Sequence, residues 1–222
     1  MKRDAKGIPM EILINDQEAR VLGCLMEKAM ATPEYYPLSL NALANACNQK
    51  SNRDPVVNWG EQTVEDAVGD LEKNGLVNRS TVGRVPKYEE IFTRQHNMVA
   101  SEAAVLCVLL LRGPQTPGAI RSRTDRLHAF DSLEALQETL DRLCEWGHVH
   151  RLERLPGHKE CRYTHLLSGG PDDDAEPSET GDPVAPSDDT DRLMRLDADV
   201  QSLKDELADL RTAFESFRRQ FE

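Results

Sequence analysis

The side chains best suited to chemistry are basic ones, which gather in two predicted β-hairpins and in two short segments near them. Arginine and lysine donate charge-assisted hydrogen bonds to phosphate oxygens, and such contacts position a protein on nucleic acid without reading its bases. If the hairpins and segments face one way, the pattern predicts phosphate binding with weak sequence preference. The candidate residues are Lys50, Arg53, Arg79, Arg84, Lys87, Arg121, Arg123, Arg126, Arg151, Arg154, Lys159 and Arg162.

The same residues have a simpler interpretation, because basic side chains also form ordinary surface charges and local ion pairs. Arg53 is followed by Asp54, and Asp125 by Arg126, at the spacing of such pairs. Residues 48–55 leave a similar choice. Their polar side chains could contact a ligand or a phosphate group, but capping of a long turn accounts for the same residues and is the favoured interpretation.

No catalytic motif accompanies the basic residues. The chain lacks Gly-x-x-x-x-Gly-Lys, His-Glu-x-x-His and Gly-x-Ser-x-Gly, and it has no dinucleotide fingerprint. His148 and His150 fall on one predicted strand that Cys161 could join, but histidines are common on exposed hairpins and no fourth ligand is evident. The five cysteines form no Cys-x-x-Cys pair, which favours free thiols. We expect neither an enzyme nor a bound metal or cofactor.

Two copies of one pattern of helices and a hairpin position these side chains. Residues 101–110 echo residues 17–26, and the apolar spacing that leads to Gly75 recurs 72 positions later before Gly147. Each copy is predicted to form three helices and then a hairpin, which is the order of a winged-helix domain. The fold class is therefore a mainly helical α+β protein with tandem winged-helix domains, predicted over residues 12–95 and 96–168.

Capping residues predict where the helices begin. A side-chain oxygen just before a helix accepts a hydrogen bond from a free amide of the first turn, and a glutamate three residues on strengthens the pattern. Gly75 is placed to end the third helix of the first copy. The predicted caps are Asn15, Ser39, Ser101, Thr116 and Asp131.

The predicted third helices are acidic, which argues against their lying in a DNA groove. Residues 61–74 contain five acidic residues against one lysine, and residues 131–146 contain five against one arginine. Phosphates repel such helices. These faces are expected to be solvated, and any DNA contact is expected to come from the hairpins and loops.

The chain carries a formal net charge of −12, but most of it belongs to the C-terminal quarter. Residues 1–168 carry a net charge of −2, and residues 169–222 carry −10. Within the latter, residues 169–191 hold nine acidic residues, four prolines and no basic residue. This composition predicts a disordered acidic linker.

The last segment, residues 192–222, has apolar residues at alternating spacings of three and four, which predicts a coiled-coil helix. Paired in parallel, its flanking charges oppose each other in sign, so we expect a parallel homodimer. An amphipathic helix that packs on its own chain is the alternative. The predicted dimerisation residues are Leu193, Leu196, Val200, Leu203, Leu207, Leu210, Phe214, Phe217 and Phe221.

Several stretches together resemble the YceH-like family of uncharacterised bacterial proteins. They are residues 36–43 (Tyr-Pro-Leu-Ser-Leu-Asn-Ala-Leu), residues 46–55 (Ala-Cys-Asn-Gln-Lys-Ser-Asn-Arg-Asp-Pro), residues 83–88 and residues 111–118. The likeness spans about residues 12–168. It implies a tandem winged-helix fold, often followed by a coiled-coil tail, and it implies no activity.

Together these patterns predict a cytoplasmic nucleic-acid-binding or regulatory protein that contacts double-stranded DNA through basic hairpins and loops. No apolar run approaches the length of a membrane helix, so no membrane contact is expected. The alternative is a protein-interaction adaptor of winged-helix type without DNA contact, whose acidic helices would suit a basic protein partner.

Overall fold

The structure is a computed structural model that describes residues 13–83, 85–154 and 160–169. Nearly all of the predicted acidic linker and the whole predicted coiled coil, with its nine dimerisation residues, lie outside these residues. The described residues belong to one compact unit. Its fold is mixed α+β, as predicted, with seven α-helices and two small antiparallel sheets in the described part.

The first copy contains three main helices and a three-stranded sheet. Antiparallel pairing places β3 between β1 and β2, with Leu38 opposite Tyr88 and Arg79 opposite the same tyrosine on the other side. A 3₁₀ turn, Pro33–Tyr35, precedes β1. The elements are α1 Asp16–Ala31, β1 Leu38–Ser39, α2 Leu40–Cys47, α3 Glu61–Lys73, β2 Val77–Ser80, β3 Lys87–Glu90 and a short α4 Phe92–Gln95.

The second copy repeats this order. Gln115 takes the place of β1, because it bridges to Tyr163 on β5 as Leu38 pairs with Tyr88 on β3. The elements are α5 Ala100–Arg112, α6 Pro117–Thr124, α7 Leu133–Glu145, β4 Val149–Arg151 and β5 Tyr163–His165.

The predicted 72-residue repeat is confirmed at the ends of α3 and α7. Gly75 and Gly147 have φ angles of 71° and 72°, in the left-handed region that favours glycine. The amide that follows each glycine bonds back to the helix, Leu76 to the Leu71 carbonyl at 2.9 Å and His148 to the Leu143 carbonyl at 3.0 Å. The same C-terminal turn therefore starts each hairpin.

Three of the five predicted caps are confirmed. The side chains of Asn15, Ser39 and Thr116 accept hydrogen bonds from amides three residues ahead. Two predicted caps are wrong, Ser101 and Asp131.

The two corrections have local causes. Helix α5 begins at Ala100, because the Glu102 carboxylate accepts the Val99 amide at 3.0 Å and no capping hydroxyl is needed. Helix α7 is capped by Ser132, whose hydroxyl accepts the Ala135 amide at 3.2 Å.

The two copies meet where α1 crosses α5. A Cβ atom added to Gly23 would lie 2.9 Å from Leu111 Cδ2, so the helices approach as closely as a glycine allows. The Cys107 thiol donates to the Gly23 carbonyl at 3.4 Å. Gly23 and Cys107 are equivalent positions in the repeat, as are Glu27 and Leu111. Burial, and then the Glu27 carboxylate, raise the pKa of the Cys107 thiol.

The start of the first copy also bonds to the end of the second. The Ile14 amide donates to the Leu167 carbonyl at 2.8 Å. The start of the second copy follows the end of the first directly in the sequence, and there the Met98 amide donates to the Thr93 carbonyl at 2.9 Å in a local turn.

The core runs continuously through both copies and includes Leu22, Leu25, Leu71, Leu106, Leu109 and Leu140, all essentially without exposure. Among the described residues, the longest apolar helices remain too short or too charged to cross a membrane.

We predict that Gly23→Ala lowers the free energy of unfolding by about 1–3 kcal/mol, because the added methyl group overlaps Leu111 in a packed interface. Urea unfolding followed by circular dichroism measures the change. Gly69→Ala is the matched control, since Gly69 lies inside α3 with open space around it and the substitution should stabilise by about 0.5–1 kcal/mol. Equal stabilisation by both substitutions would contradict the close approach.

Candidate nucleic-acid interface

In the first hairpin, Arg79 and Lys87 are exposed. Arg79 stands opposite Tyr88 across β2 and β3, and its guanidinium lies 5.9 Å from the centre of that ring. A cation stacked on an aromatic face stays available to an anion on its other side. Arg84 lies outside the described residues.

The second hairpin also has an arginine opposite a tyrosine, with the arginine 72 positions later. Arg151 on β4 stands opposite Tyr163 on β5, as Arg79 stands opposite Tyr88. The exposed Arg151 guanidinium also donates to Cys161 Sγ at 3.3 Å. Each hairpin therefore presents one arginine at an equivalent register. The remaining candidates are Arg154, which is exposed, Arg162, which is half-buried, and Lys159, which lies outside the described residues.

Helix α6 does not hold its arginines together. The Arg121 guanidinium turns toward the start of α7 and donates to the Asp131 carbonyl at 3.3 Å. Arg123 is half-buried. Burial, and then the positive charge of Arg112, lower the pKa of its guanidinium. Arg126 is exposed beyond the end of the helix. Lys50 is also exposed, in the loop between α2 and α3.

Among the candidates that the structure describes, Arg53 is the one predicted phosphate contact that is buried. It is only 4% exposed, and its Nη2 lies 2.6 Å from Glu27 Oε2 on α1. Its remaining donors bond to Gln49, to the Asn52 carbonyl and to the Ala46 carbonyl. The hydrogen bonds from Arg53 hold the pKa of the Glu27 carboxyl below its usual value, although burial alone would raise it. Arg53 therefore stabilises the interior.

The loop of residues 48–60 is held by side chains, as the capping interpretation predicts. The Asn48 side chain bonds to both the amide and the carbonyl of Trp59, each at 2.8 Å. Arg20, which is 4% exposed, donates to the Pro55 carbonyl at 2.7 Å and to the Cys47 carbonyl at 3.4 Å. Most of the polar groups that made this loop look unusual are thus used internally.

Arg112, at the last turn of α5, was not among the residues predicted from the sequence. Its Nη1 donates to Asn52 Oδ1 at 3.3 Å, so it connects the second copy to the loop of the first. Its position before Gly113 and Pro114 suggested no more than the end of a helix. No local pattern predicts that Asn52, 60 residues earlier, lies beside it.

The acidic residues of α3 and α7 lie mostly on exposed faces. Their apolar sides pack inward through Val64, Leu71, Leu136 and Leu143, which are fully buried. The exposed acidic residues are Glu61, Glu65, Asp66 and Glu72 on α3, and Glu134, Glu138, Asp141 and Glu145 on α7.

His148 and His150, the two histidines predicted on one strand of the second hairpin, do not lie together. His148 is buried and its ring lies 5.0 Å from that of His96 and 5.8 Å from that of Phe92, whereas His150 is exposed. Within the described ranges, no three histidine, cysteine, aspartate or glutamate side chains gather as a metal site would need.

We predict that Glu27→Gln lowers the free energy of unfolding by about 3 kcal/mol, because it leaves the Arg53 charge uncompensated in the interior. Urea unfolding provides the measurement. Glu72→Gln is the control, since Glu72 is exposed on α3 and its loss should cost less than about 0.5 kcal/mol. If both variants unfold at the same urea concentration, Arg53 does not depend on Glu27.

The environment of His165 leads us to expect a lower free energy of unfolding in mild acid. Burial lowers the pKa of this imidazole to about 4, and Asp16 offsets only part of that shift. Between pH 6.5 and 4 the unfolded chain binds the proton and the folded chain does not, so the free energy of unfolding falls as the pH falls, by up to about 1.4 kcal/mol per unit. His165→Gln should flatten this slope in urea unfolding and exposed His150→Gln should retain it, so an equal slope in both would refute the assignment.

Comparison with known proteins places the chain in a family. Residues 14–158 match the family described as "Protein of unknown function, DUF480". The chain is 49% identical to a UPF0502 protein of Solibacter usitatus over 96% of this chain and all of the relative. It is 48% identical to a UPF0502 protein of Pelobacter propionicus, over 96% of this chain and all of that relative.

The relative in Geobacter sulfurreducens, also a UPF0502 protein, is 47% identical over 96% of this chain and its own full length. These matches are consistent with the resemblance drawn from the motifs. The chain belongs to the DUF480, or UPF0502, family of uncharacterised bacterial proteins.

Proposed function

We propose that the protein binds double-stranded DNA, in a nucleic-acid-binding or regulatory role, through the phosphate contacts of its two hairpins. In this proposal residues 12–95 and 96–168 are tandem winged-helix domains. The order of three helices and a hairpin in each copy supports that reading, as does the antiparallel sheet order β1-β3-β2. The protein acts in the cytoplasm and is not an enzyme.

The observation that carries the proposal is the repeated arginine of the hairpins. Arg79 and Arg151 occupy the same register, each opposite a tyrosine and each exposed. Two exposed guanidiniums, one in each hairpin, suit contacts with two phosphates of a duplex backbone. Lys87 and Arg154 add positive charge to the same hairpins.

The acidic faces of α3 and α7 limit what such an interface reads. Placing a helix with exposed carboxylates in a groove lined by phosphates costs free energy, because the like charges repel each other. The hairpins therefore bind the backbone, and backbone contacts carry little sequence information. A parallel homodimer formed through residues 192–222 doubles the number of hairpins, which raises affinity by avidity rather than by base recognition.

A protein-interaction adaptor is the second candidate function, and the acidic faces favour it. Glu65, Asp66, Glu138 and Asp141 are exposed on the two equivalent helices and together attract a basic partner. Such an adaptor contacts no DNA.

Fluorescence anisotropy of a random-sequence duplex, with the full chain at about 50 and 200 mM salt, tests the DNA proposal. We expect salt-sensitive binding that weakens at least tenfold in the double variant Arg79→Gln/Arg151→Gln. The slope of log affinity against log salt should fall by about 2, because each lost phosphate contact releases about one counterion fewer. Lys73→Gln/Arg94→Gln removes the same charge from exposed positions outside the hairpins and should leave the slope unchanged.

Equal weakening by both double variants would show that net charge alone matters and would remove the hairpin interface. Absence of binding at 50 mM salt would favour the adaptor. In that case Glu65→Gln/Asp66→Asn/Glu138→Gln/Asp141→Asn should abolish capture of a nuclease-resistant, stoichiometric partner.

A further inference from the structure

We propose that Cys24 and Cys47 form a reversible internal disulfide on reaction with hydrogen peroxide. Both thiols are fully buried where α1 packs against the end of α2, and both are free in this structure. The site is independent of DNA binding, so the failure of one proposal does not affect the other. Where a compartment keeps thiols reduced, the disulfides that do form are mostly transient and redox-sensing, and this pair fits that class.

The two thiols meet because of the face that α1 turns toward α2. Arg20, Cys24 and Glu27 share one face of α1, since steps of four and three residues return to nearly the same side of a helix. Arg20 Nη1 donates to the Cys47 carbonyl at 3.4 Å. Glu27, at the other end of this face, binds Arg53, which donates to the preceding carbonyl of α2 at 3.0 Å. Cys24 therefore lies between two contacts to the end of α2.

Helix α2 brings the second thiol to the same place. Cys47 follows Leu43 by one turn, and both side chains are fully buried. The Cys47 thiol donates a hydrogen bond to the Cys24 sulfur. The two sulfurs are thus neighbours before any oxidation, and a disulfide requires them to approach to about 2.05 Å. Because Cys47 is the last residue of α2, this approach moves a helix end rather than a helix interior.

The buried arginines Arg20 and Arg53 favour the thiolate form of Cys24, which is the form that attacks a peroxide. Burial alone would raise the pKa of the Cys24 thiol. The hydrogen bond from Cys47 and the charges of the two arginines outweigh burial and hold that pKa below its usual value. The same hydrogen bond, with burial, raises the pKa of the Cys47 thiol. The pair therefore shares one proton, which leaves one nucleophile with a thiol beside it.

The reaction uses one molecule of hydrogen peroxide. The Cys24 thiolate attacks a peroxide oxygen and breaks the O–O bond, which gives a sulfenic acid and releases hydroxide. The Cys47 sulfur then attacks the Cys24 sulfur, and the S–O bond breaks as the second hydroxide leaves. The two hydroxides take up the two protons lost from the thiols, so two thiols and one peroxide yield one disulfide and two waters. An added thiol reverses the step by exchange.

Cys107 provides a comparison within the same chain. It is as deeply buried as Cys24, but its thiol donates to the Gly23 carbonyl at 3.4 Å. Burial, and then the Glu27 carboxylate, raise the pKa of the Cys107 thiol. Cys107 therefore stays in the protonated form, which reacts slowly with peroxide.

Peptide mapping of the full chain after treatment with hydrogen peroxide tests the disulfide. Trypsin separates Cys24 and Cys47 into the neighbouring peptides 21–28 and 29–50. We expect these peptides to be joined in the oxidised chain and to separate after treatment with a phosphine reductant. Labelling of the remaining thiols during the reaction should show that Cys24 is lost at least tenfold faster than Cys107.

Two variants assign the roles of the thiols. Cys47→Ser keeps a hydroxyl donor beside Cys24 but removes the second thiol, so Cys24 should gain two oxygen atoms as a sulfinic acid. Cys107→Ala is the matched control, since it removes an equally buried thiol and should leave the disulfide unchanged. The proposal is overturned if no joined peptide forms, if Cys24 is joined to another cysteine, or if Cys24 and Cys107 are oxidised at the same rate. Because the mapping uses the unaltered chain, it decides the question even if Cys47→Ser folds poorly.

Discussion

The approach of α1 to α5 at Gly23 is the contact on which the arrangement of the two copies depends. Because Gly23 has no side chain, its carbonyl can accept the Cys107 thiol while Leu111 packs directly against its Cα. Leu111 in turn offers the carbonyl that anchors Asp54. The glycine therefore sets the distance between the copies and, through the Asp54–Leu111 bond, the position of the loop of residues 48–60.

Two buried arginines, Arg20 and Arg53, hold the loop of residues 48–60 in place through hydrogen bonds to the loop and to the end of α2. Arg20 and Arg53 send their guanidiniums to the carbonyls at the end of α2, Cys47 and Ala46, where a helix presents unsatisfied acceptors and partial negative charge. Removing two guanidiniums from water is costly, and Glu27 with the surrounding carbonyls offsets that cost. The charged groups thus order a long connection that contains little apolar material of its own.

The sequence predicted features whose causes lie within a few residues of one another. Asn15, Ser39 and Thr116 were predictable as caps because each acts on an amide three residues ahead, and Gly75 and Gly147 because a left-handed turn needs glycine. Helix geometry also allowed a better prediction for α6, since positions 121 and 123 are about 200° apart around a helix. The burial of Arg53 was not predictable, because it depends on Glu27, which lies 26 residues earlier. For the same reason no local signal joined Arg112 to Asn52.

Helices α1 and α5 meet at equivalent positions of the two copies, Gly23 and Cys107, as two identical molecules meet at a dimer axis, but here within one chain. A true homodimer must present every surface twice, and any change in one subunit appears in the other. Covalent linkage lifts that restriction. Gly23 has become the counterpart of a cysteine, and Glu27 of a leucine, so the interface carries an ion pair on one side and apolar packing on the other. The fused pair can therefore carry different side chains at equivalent positions of its interface, which two identical subunits cannot do.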